Sequence, residues 1–144
     1  MFNALNISAT GLTAQRLRMD TISQNIANIN TTRTSEGGPY RRKHALFQEI
    51  PDQGFSRVFK YTLDRPVLGA GVRVSEIAAD NAPGSRVYEP GHPDADTDGY
   101  VTMPNVNIVE EMVNMISASR SYEANITALN CGKSMIAKTM EISR

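Results

Sequence analysis

NVNIVEEMVNMISASRSYEANITALNCGKSMIAKTMEIS, residues 105–143, decides how the rest of the chain is read. Alternating steps of four and three from Ile108 reach Met112, Met115, Ser119, Tyr122, Ile126, Leu129, Lys133, Ile136, Met140 and Ser143. Most of these are apolar, so they draw one stripe along an α-helix. Val109, Val113 and Ile116 widen it over the first turns. The stretch contains no proline, and its only glycine is Gly132. Helical throughout, it is roughly 58 Å long at about 1.5 Å per residue. That is longer than a compact domain of this size, so the helix needs a partner beyond its own core. Asn105 or Asn107 can cap the start, and Glu110 and Glu111 suit the positive end of the helix dipole.

A second helix is expected over residues 3–29. Leu5, Ala9, Leu12, Met19, Ile22, Ile26 and Ile29 recur at helical spacing, with Arg16 interrupting the stripe and Gly11 weakening the helix interior. Two long amphipathic helices thus occupy the two ends of the chain. The economical arrangement packs them against each other as an antiparallel coiled-coil pair and leaves surplus apolar surface for other subunits. Asn25, Asn28 and Asn30 cluster where the first helix ends, which suits a terminus and turn. They are also placed to tie helix ends together between subunits.

The middle of the chain changes character. Gly37, Gly38 and Pro39 form a turn. Residues 40–50 carry the basic run Arg41, Arg42, Lys43 and His44, then alternate as a strand. Further strands are expected at residues 55–63 and 72–77. Residues 79–104 hold four prolines and three glycines, a loop composition with no regular element expected. The fold class is therefore mainly α with a β-rich insertion. Its parts are residues 1–32 (first helix), 33–104 (β and loop insertion) and 105–144 (second helix).

Composition narrows the function. The 144 residues carry 15 Lys plus Arg and 15 Asp plus Glu, a formal net charge of zero, which gives no pull toward nucleic acid. No run is long and apolar enough for membrane insertion, and the first residues lack the basic and apolar blocks of a secretory signal. Cys131 is the single cysteine, so neither an intrachain disulfide nor a thiolate zinc site is available. Asp94, Asp96, Asp98 and Gly99 match the opening of a calcium loop, but Asn105 stands at the twelfth position where a bidentate Glu is needed. A carboxylate-rich turn accepting backbone N–H groups is the better account. His92 lies between Gly91 and Pro93 without a nucleophile motif, and reads as a structural loop histidine. Arg41, Arg42 and Lys43 read as a solvated face or a surface for an acidic protein. No catalytic set and no cofactor site emerges.

Two stretches carry a family resemblance. ISATGLTAQRLRMDTISQNIANINTTRT (residues 7–34), followed by GGPYRRK (37–43), and YEPGHPDADTDGYVTMPNVNIVEEMVNMISASRSYEANITALNCGKSM (88–135) closely resemble the bacterial flagellar basal-body rod proteins. The resemblance spans nearly the whole chain and is nearest to the type-C proximal-rod members, to which the GHPDAD and MPNVN runs are specific. It implies a non-enzymatic axial subunit that polymerises in the periplasm into the shaft carrying torque from motor to hook. It also implies passage through the flagellar export apparatus without a cleaved signal, and contacts with its own copies and with other rod proteins. On this reading Leu5, Leu12, Met19, Ile22 and Ile26 face Met112, Met115, Tyr122, Ile126, Leu129, Ile136 and Met140 within or between subunits. Asn25, Asn28, Asn30, Arg41, Arg42, His92, Asp94 and Asp96 make contacts at helix ends and loops. On physical grounds alone, the competing reading is a soluble or secreted coiled-coil adaptor that stops at a discrete oligomer.

Overall fold

The computed structural model describes residues 2–51 and 69–142. Two helices dominate: α1, Phe2–Ala27, and α2, Ile108–Ile142. They pack along most of α1 and run antiparallel. Leu5 lies against Gly132, Gly11 against Asn125, and Asn25 against Glu111. The paired numbers sum to nearly the same value throughout, so the register holds from one end of α1 to the other.

The side of each helix that faces the other is not the widest apolar stripe. Ala14, Ile22 and Ala118 are buried along the seam, with Thr21, Asn25 and Glu111 among them. Gly11 and Gly132 sit in the same seam. A methyl group on Gly11 would meet the Asn125 amide at 3.0 Å, and one on Gly132 would meet Leu5 Cδ2 at 2.8 Å. Small residues let the helices approach closely. The large side chains flank the seam or point away from it.

α1 stops two residues short of the predicted end. Asn28 N–H donates to Gln24 O at 3.1 Å, Ile29 N–H to Ile26 O at 3.4 Å and Thr31 N–H to Asn28 O at 3.0 Å, a tightening turn that leaves the helix. α2 is capped by Asn107, whose Oδ1 accepts the Val109 N–H at 3.0 Å. Asn105, the other candidate cap, is used elsewhere, as described below.

Between the helices the described residues form two antiparallel hairpins. β1, Lys43–Glu49, pairs with β2, Val72–Ala79, from Lys43↔Ala79 to Glu49↔Val72, with a register shift between Leu46 and Phe47. The bulge bends the strand and spoils the strict alternation read from residues 40–50. This hairpin packs on α1. Gly71 makes the docking possible: its φ is +128°, and a Cβ there would collide with Thr10 Oγ1, the atom that accepts the Val72 N–H at 3.2 Å. The strand expected at residues 55–63 lies outside the described residues.

The absence of regular structure expected at residues 79–104 is corrected. β3, Arg86–Tyr88, pairs with β4, Tyr100–Thr102. Each strand has three residues, too few for a period-of-two signal to rise above a Pro- and Gly-rich background. Side chains hold the hairpin. The Tyr88 and Tyr100 rings meet edge-on with centroids 5.3 Å apart, and the Arg86 guanidinium lies 5.2 Å from the Tyr100 ring. Val101 is fully buried behind them.

Candidate functional site: a polar junction and an uncovered helix face

Asn25, near the end of α1, is fully hydrogen-bonded. Its side chain is 1% exposed. Its Nδ2 donates to Lys43 O at 2.7 Å and to Glu111 Oε2 at 2.9 Å. Its Oδ1 accepts from Tyr40 Oη at 3.0 Å and from Lys43 N–H at 2.9 Å. Both donors and both acceptor positions of the amide are thus used. Because it grips the N–H and C=O of one residue, the amide takes the place of a neighbouring strand at the start of β1.

Glu111, in the first turn of α2, completes the junction and is also 1% exposed. Arg42 Nε donates to its Oε1 at 2.8 Å, and Arg42 Nη2 approaches the same oxygen at 2.6 Å. Nη2 also reaches Glu110 at 3.1 Å on the exposed side. A buried carboxylate persists only when paired and hydrogen-bonded, and here it is both. The Arg42 N–H donates to Asn105 Oδ1 at 2.9 Å, and Asp80 N–H donates to Arg42 O at 2.7 Å. One short segment, residues 40–43, therefore ties α1, β1, the end of β2 and the entry to α2 together.

The electrostatics follow from this geometry. Burial, and then the nearby Glu111 charge, raise the Tyr40 phenol above its ordinary value near 10.0. Burial alone pulls the Arg42 guanidinium down. The Glu111 hydrogen bond and charge, with a smaller contribution from Glu110, more than offset it, and the net direction is up. Both groups are held in their protonated forms.

Two readings from sequence change here. The Arg41, Arg42 and Lys43 run is not simply a solvated face, since Arg42 is consumed by Glu111. Arg41 donates to Asn81 Oδ1 at 2.9 Å, and Lys43 lies 5.8 Å from the Tyr40 ring. Glu111 is a buried partner rather than only a dipole complement. The sequence signal that could have found the junction is Asn25 itself, a polar residue three positions after Ile22 on the apolar side of α1.

The other polar candidates are spread along the connections. Asn28 Nδ2 donates to Gln24 O at 2.8 Å and its Oδ1 accepts from Thr31, closing the end of α1, while Asn30 is exposed. His92 Nδ1 accepts the Asp94 N–H at 3.1 Å, the role of a loop-shaping histidine. Asp94 accepts from Thr32 Oγ1 at 2.8 Å and faces Arg33 at 3.7 Å; Asp96 faces Arg86 at 3.3 Å. These two carboxylates take side-chain partners, not the backbone N–H groups expected. Among the described residues no three His, Cys, Asp or Glu side chains converge as metal ligands.

The apolar candidates divide by position. Ile22 is buried, and Leu5, Leu12, Met19, Ile26, Met115, Tyr122, Leu129 and Ile136 are partly covered. Met112, Ile126 and Met140 are exposed. Met112 belongs to a larger feature, for Ile108, Val109, Val113 and Ile116 are exposed with it, Val109 at 65%. At about 100° per residue these five form one continuous strip over the first three turns of α2, on the side away from α1. A second uncovered group, Met135, Met140 and Ile142, lies at the other end of α2. No helix among the described residues is long and apolar enough to cross a membrane. Apolar strips of this extent mark surfaces that meet other proteins.

Comparison with known proteins bears on what those surfaces meet. Residues 5–33 match the family described as Flagella basal body rod protein, and residues 97–142 match Flagellar basal body rod FlgEFG protein C-terminal. The Flagellar basal-body rod protein FlgC of Borreliella burgdorferi is 49% identical over 148 residues, which cover 99% of this chain and 97% of that protein. The FlgC of Bacillus subtilis is 45% identical, with 99% and 98% covered. That of Escherichia coli O157:H7 is 40% identical over 144 residues, with 100% and 98% covered.

Proposed function

This chain belongs to the FlgC family of flagellar basal-body rod proteins, and from that premise we propose how its surfaces serve the rod. It is a structural subunit of the flagellar basal-body rod. In our reading α1 and α2, with their flanks in residues 1–32 and 105–144, form a coiled-coil inner domain, and residues 33–104 form the layer outside it. The partners are further copies of the chain and other rod proteins in the periplasm, and the flagellar export apparatus on the way there, without a cleaved signal. Polymerised, the subunits form the shaft that passes torque from motor to hook.

The exposed strip on α2 carries this reading. Five large apolar side chains stand in water on the face opposite the one that packs on α1. Each is 46–65% exposed, so covering it contributes roughly 1 kcal/mol, and the five together favour association. The polar junction supports the same reading, because it fixes the insertion rigidly at one end of the helix pair. A shaft under load needs that rigidity.

Ile116→Asp tests the reading. Ile116 is 53% exposed, so the substitution leaves the fold of the subunit intact while placing a charge in the strip. In a flagellated strain lacking its own FlgC, the wild-type chain restores swimming and complete basal bodies seen by electron microscopy. Ile116→Asp gives neither at equal protein level. Complete rods built from the variant would sink the proposal.

A further inference from the structure

β1 has an outer edge that the fold leaves open over most of its length. Lys43 turns its N–H and C=O away from β2, where the Asn25 amide takes them at 2.9 and 2.7 Å. Ile50 turns toward β2, since its N–H donates to Gly71 O at 2.9 Å and its C=O accepts from Ala70 N–H at 3.0 Å. Between these two points the alternation of an antiparallel ladder turns Ala45, Phe47 and Glu49 outward, as Lys43 is. Among the described residues nothing pairs with the outward backbone groups of those three. The outer edge of β2 differs. Thr10 Oγ1 closes it at Val72, and the bulge leaves Ser75 without a partner in its middle. An unpaired edge is a template for another strand.

A groove of about 450 Å³ opens beside this edge, between β1, α1 and the first turns of α2. Ile22, Ala45 and Phe47 give it an apolar part, and Phe47 is 40% exposed. Arg18 and Lys43 also line it. Among the described residues neither cation has a carboxylate within 4.0 Å. Glu110 and Glu111 border the groove too, but Arg42 holds both. Unpaired main-chain groups, apolar surface and two uncompensated cations thus share one groove.

We infer that the open edge of β1 takes an extended, acidic segment of a partner protein as a third strand, with its carboxylates set against Arg18 and Lys43. Main-chain pairing supplies the binding, and the two cations select an acidic segment over a basic one. Asn25 fixes where the added strand stops, because its amide already fills the position beside Lys43. The edge from Ala45 to Glu49 remains, about 13 Å at about 3.3 Å per residue. This surface is not the apolar strip on α2, and the inference does not depend on the rod reading.

Amide exchange and peptide titration of the full chain, both followed by NMR, test this. In the free chain the amides of Ala45, Phe47 and Glu49 exchange fast, while those of His44 and Gln48, which face β2, are protected. Protection of the three outward amides in the free chain overturns the open edge. The probe is the end-capped peptide Val-Asp-Val-Glu-Val. It binds with a dissociation constant of about 1 mM or tighter and slows exchange at the three outward amides. The same peptide with every backbone nitrogen methylated binds about tenfold more weakly or worse, as does one with lysines in place of its two acids. On the protein side, Ala45→Pro removes an outward N–H that the fold does not use, a change an edge strand tolerates. Arg18→Glu reverses one cation. Each variant weakens the acidic peptide about tenfold or more. Circular dichroism checks that both stay folded. If Ala45→Pro does not fold, Arg18→Glu and the methylated peptide decide the matter. The inference is overturned by no binding at about 5 mM peptide, by equal binding of the methylated or the lysine peptide, or by unchanged binding to Arg18→Glu.

Discussion

Removing Arg42 isolates what the polar junction contributes. In Arg42→Met the Glu111 carboxylate stays in place, 1% exposed, but loses both guanidinium contacts at 2.8 and 2.6 Å and keeps only the Asn25 bond. Breaking a buried ion pair from one side costs about 3–5 kcal/mol. The Arg42 side chain is 22% exposed, so water partly replaces it, and the lower end, about 3 kcal/mol, is expected. Glu111→Met leaves Arg42 with Glu110 at the surface and leaves one Asn25 donor without its acceptor, at a cost of about 2 kcal/mol. The double variant carries no unpaired charge and costs about 2 kcal/mol, chiefly through Asn25. The coupling energy across the cycle is then about 3 kcal/mol. Urea denaturation of the four proteins, followed by far-ultraviolet circular dichroism, measures it. A loss of about 3 kcal/mol is a large share of the roughly 5–15 kcal/mol that holds a domain folded. Coupling below about 0.5 kcal/mol, the range of an exposed pair, would refute the assignment of Glu111 as a buried, Arg42-dependent charge.

Two further outcomes are expected. The folded-state pKa of Tyr40 lies above its unfolded value near 10.0, so its contribution is whole below pH 10 and is lost as pH rises through the folded value. Unfolding free energy should therefore fall more steeply above pH 10 in the wild type than in Tyr40→Phe, and parallel curves in alkaline urea titrations would contradict it. Gly71→Ala meets two obstacles, a φ of +128° and the Thr10 hydroxyl, and should cost about 1–3 kcal/mol with accelerated amide exchange in β1 and β2. Unchanged exchange there would show that the hairpin does not depend on its seat on α1.

The helices and the strands β1 and β2 were legible because each is long enough for its period to show, whereas the pairing of β1 with β2 was not. The 35 residues of α2 repeat the apolar pattern many times, and β1 and β2 have seven and eight residues. The three-residue strands β3 and β4 fall below that threshold. The face of α2 that meets α1 was hidden for a different reason. Periodicity finds apolar sides, and α2 has more than one. The widest belongs to Ile108, Met112 and Ile116, whereas the seam uses Glu111 and Ala118 against Asn25, Ala14 and Gly11. Small and polar residues leave little mark on a hydrophobic pattern. Asn25 and Glu111 are 86 positions apart, and nothing local in sequence pairs them.

The amide of Asn25 has a mechanical consequence. A hairpin hung from one flexible joint tears away bond by bond, like a zipper, under a small steady force. Here the bonds of Asn25, Arg42, Tyr40 and Asn105 all close within four residues, 40–43, and at one level of the helix pair. A pull or twist on the hairpin loads them in parallel, and they must give way together. Subunits stacked with this fastening would yield abruptly above a threshold force instead of creeping below it.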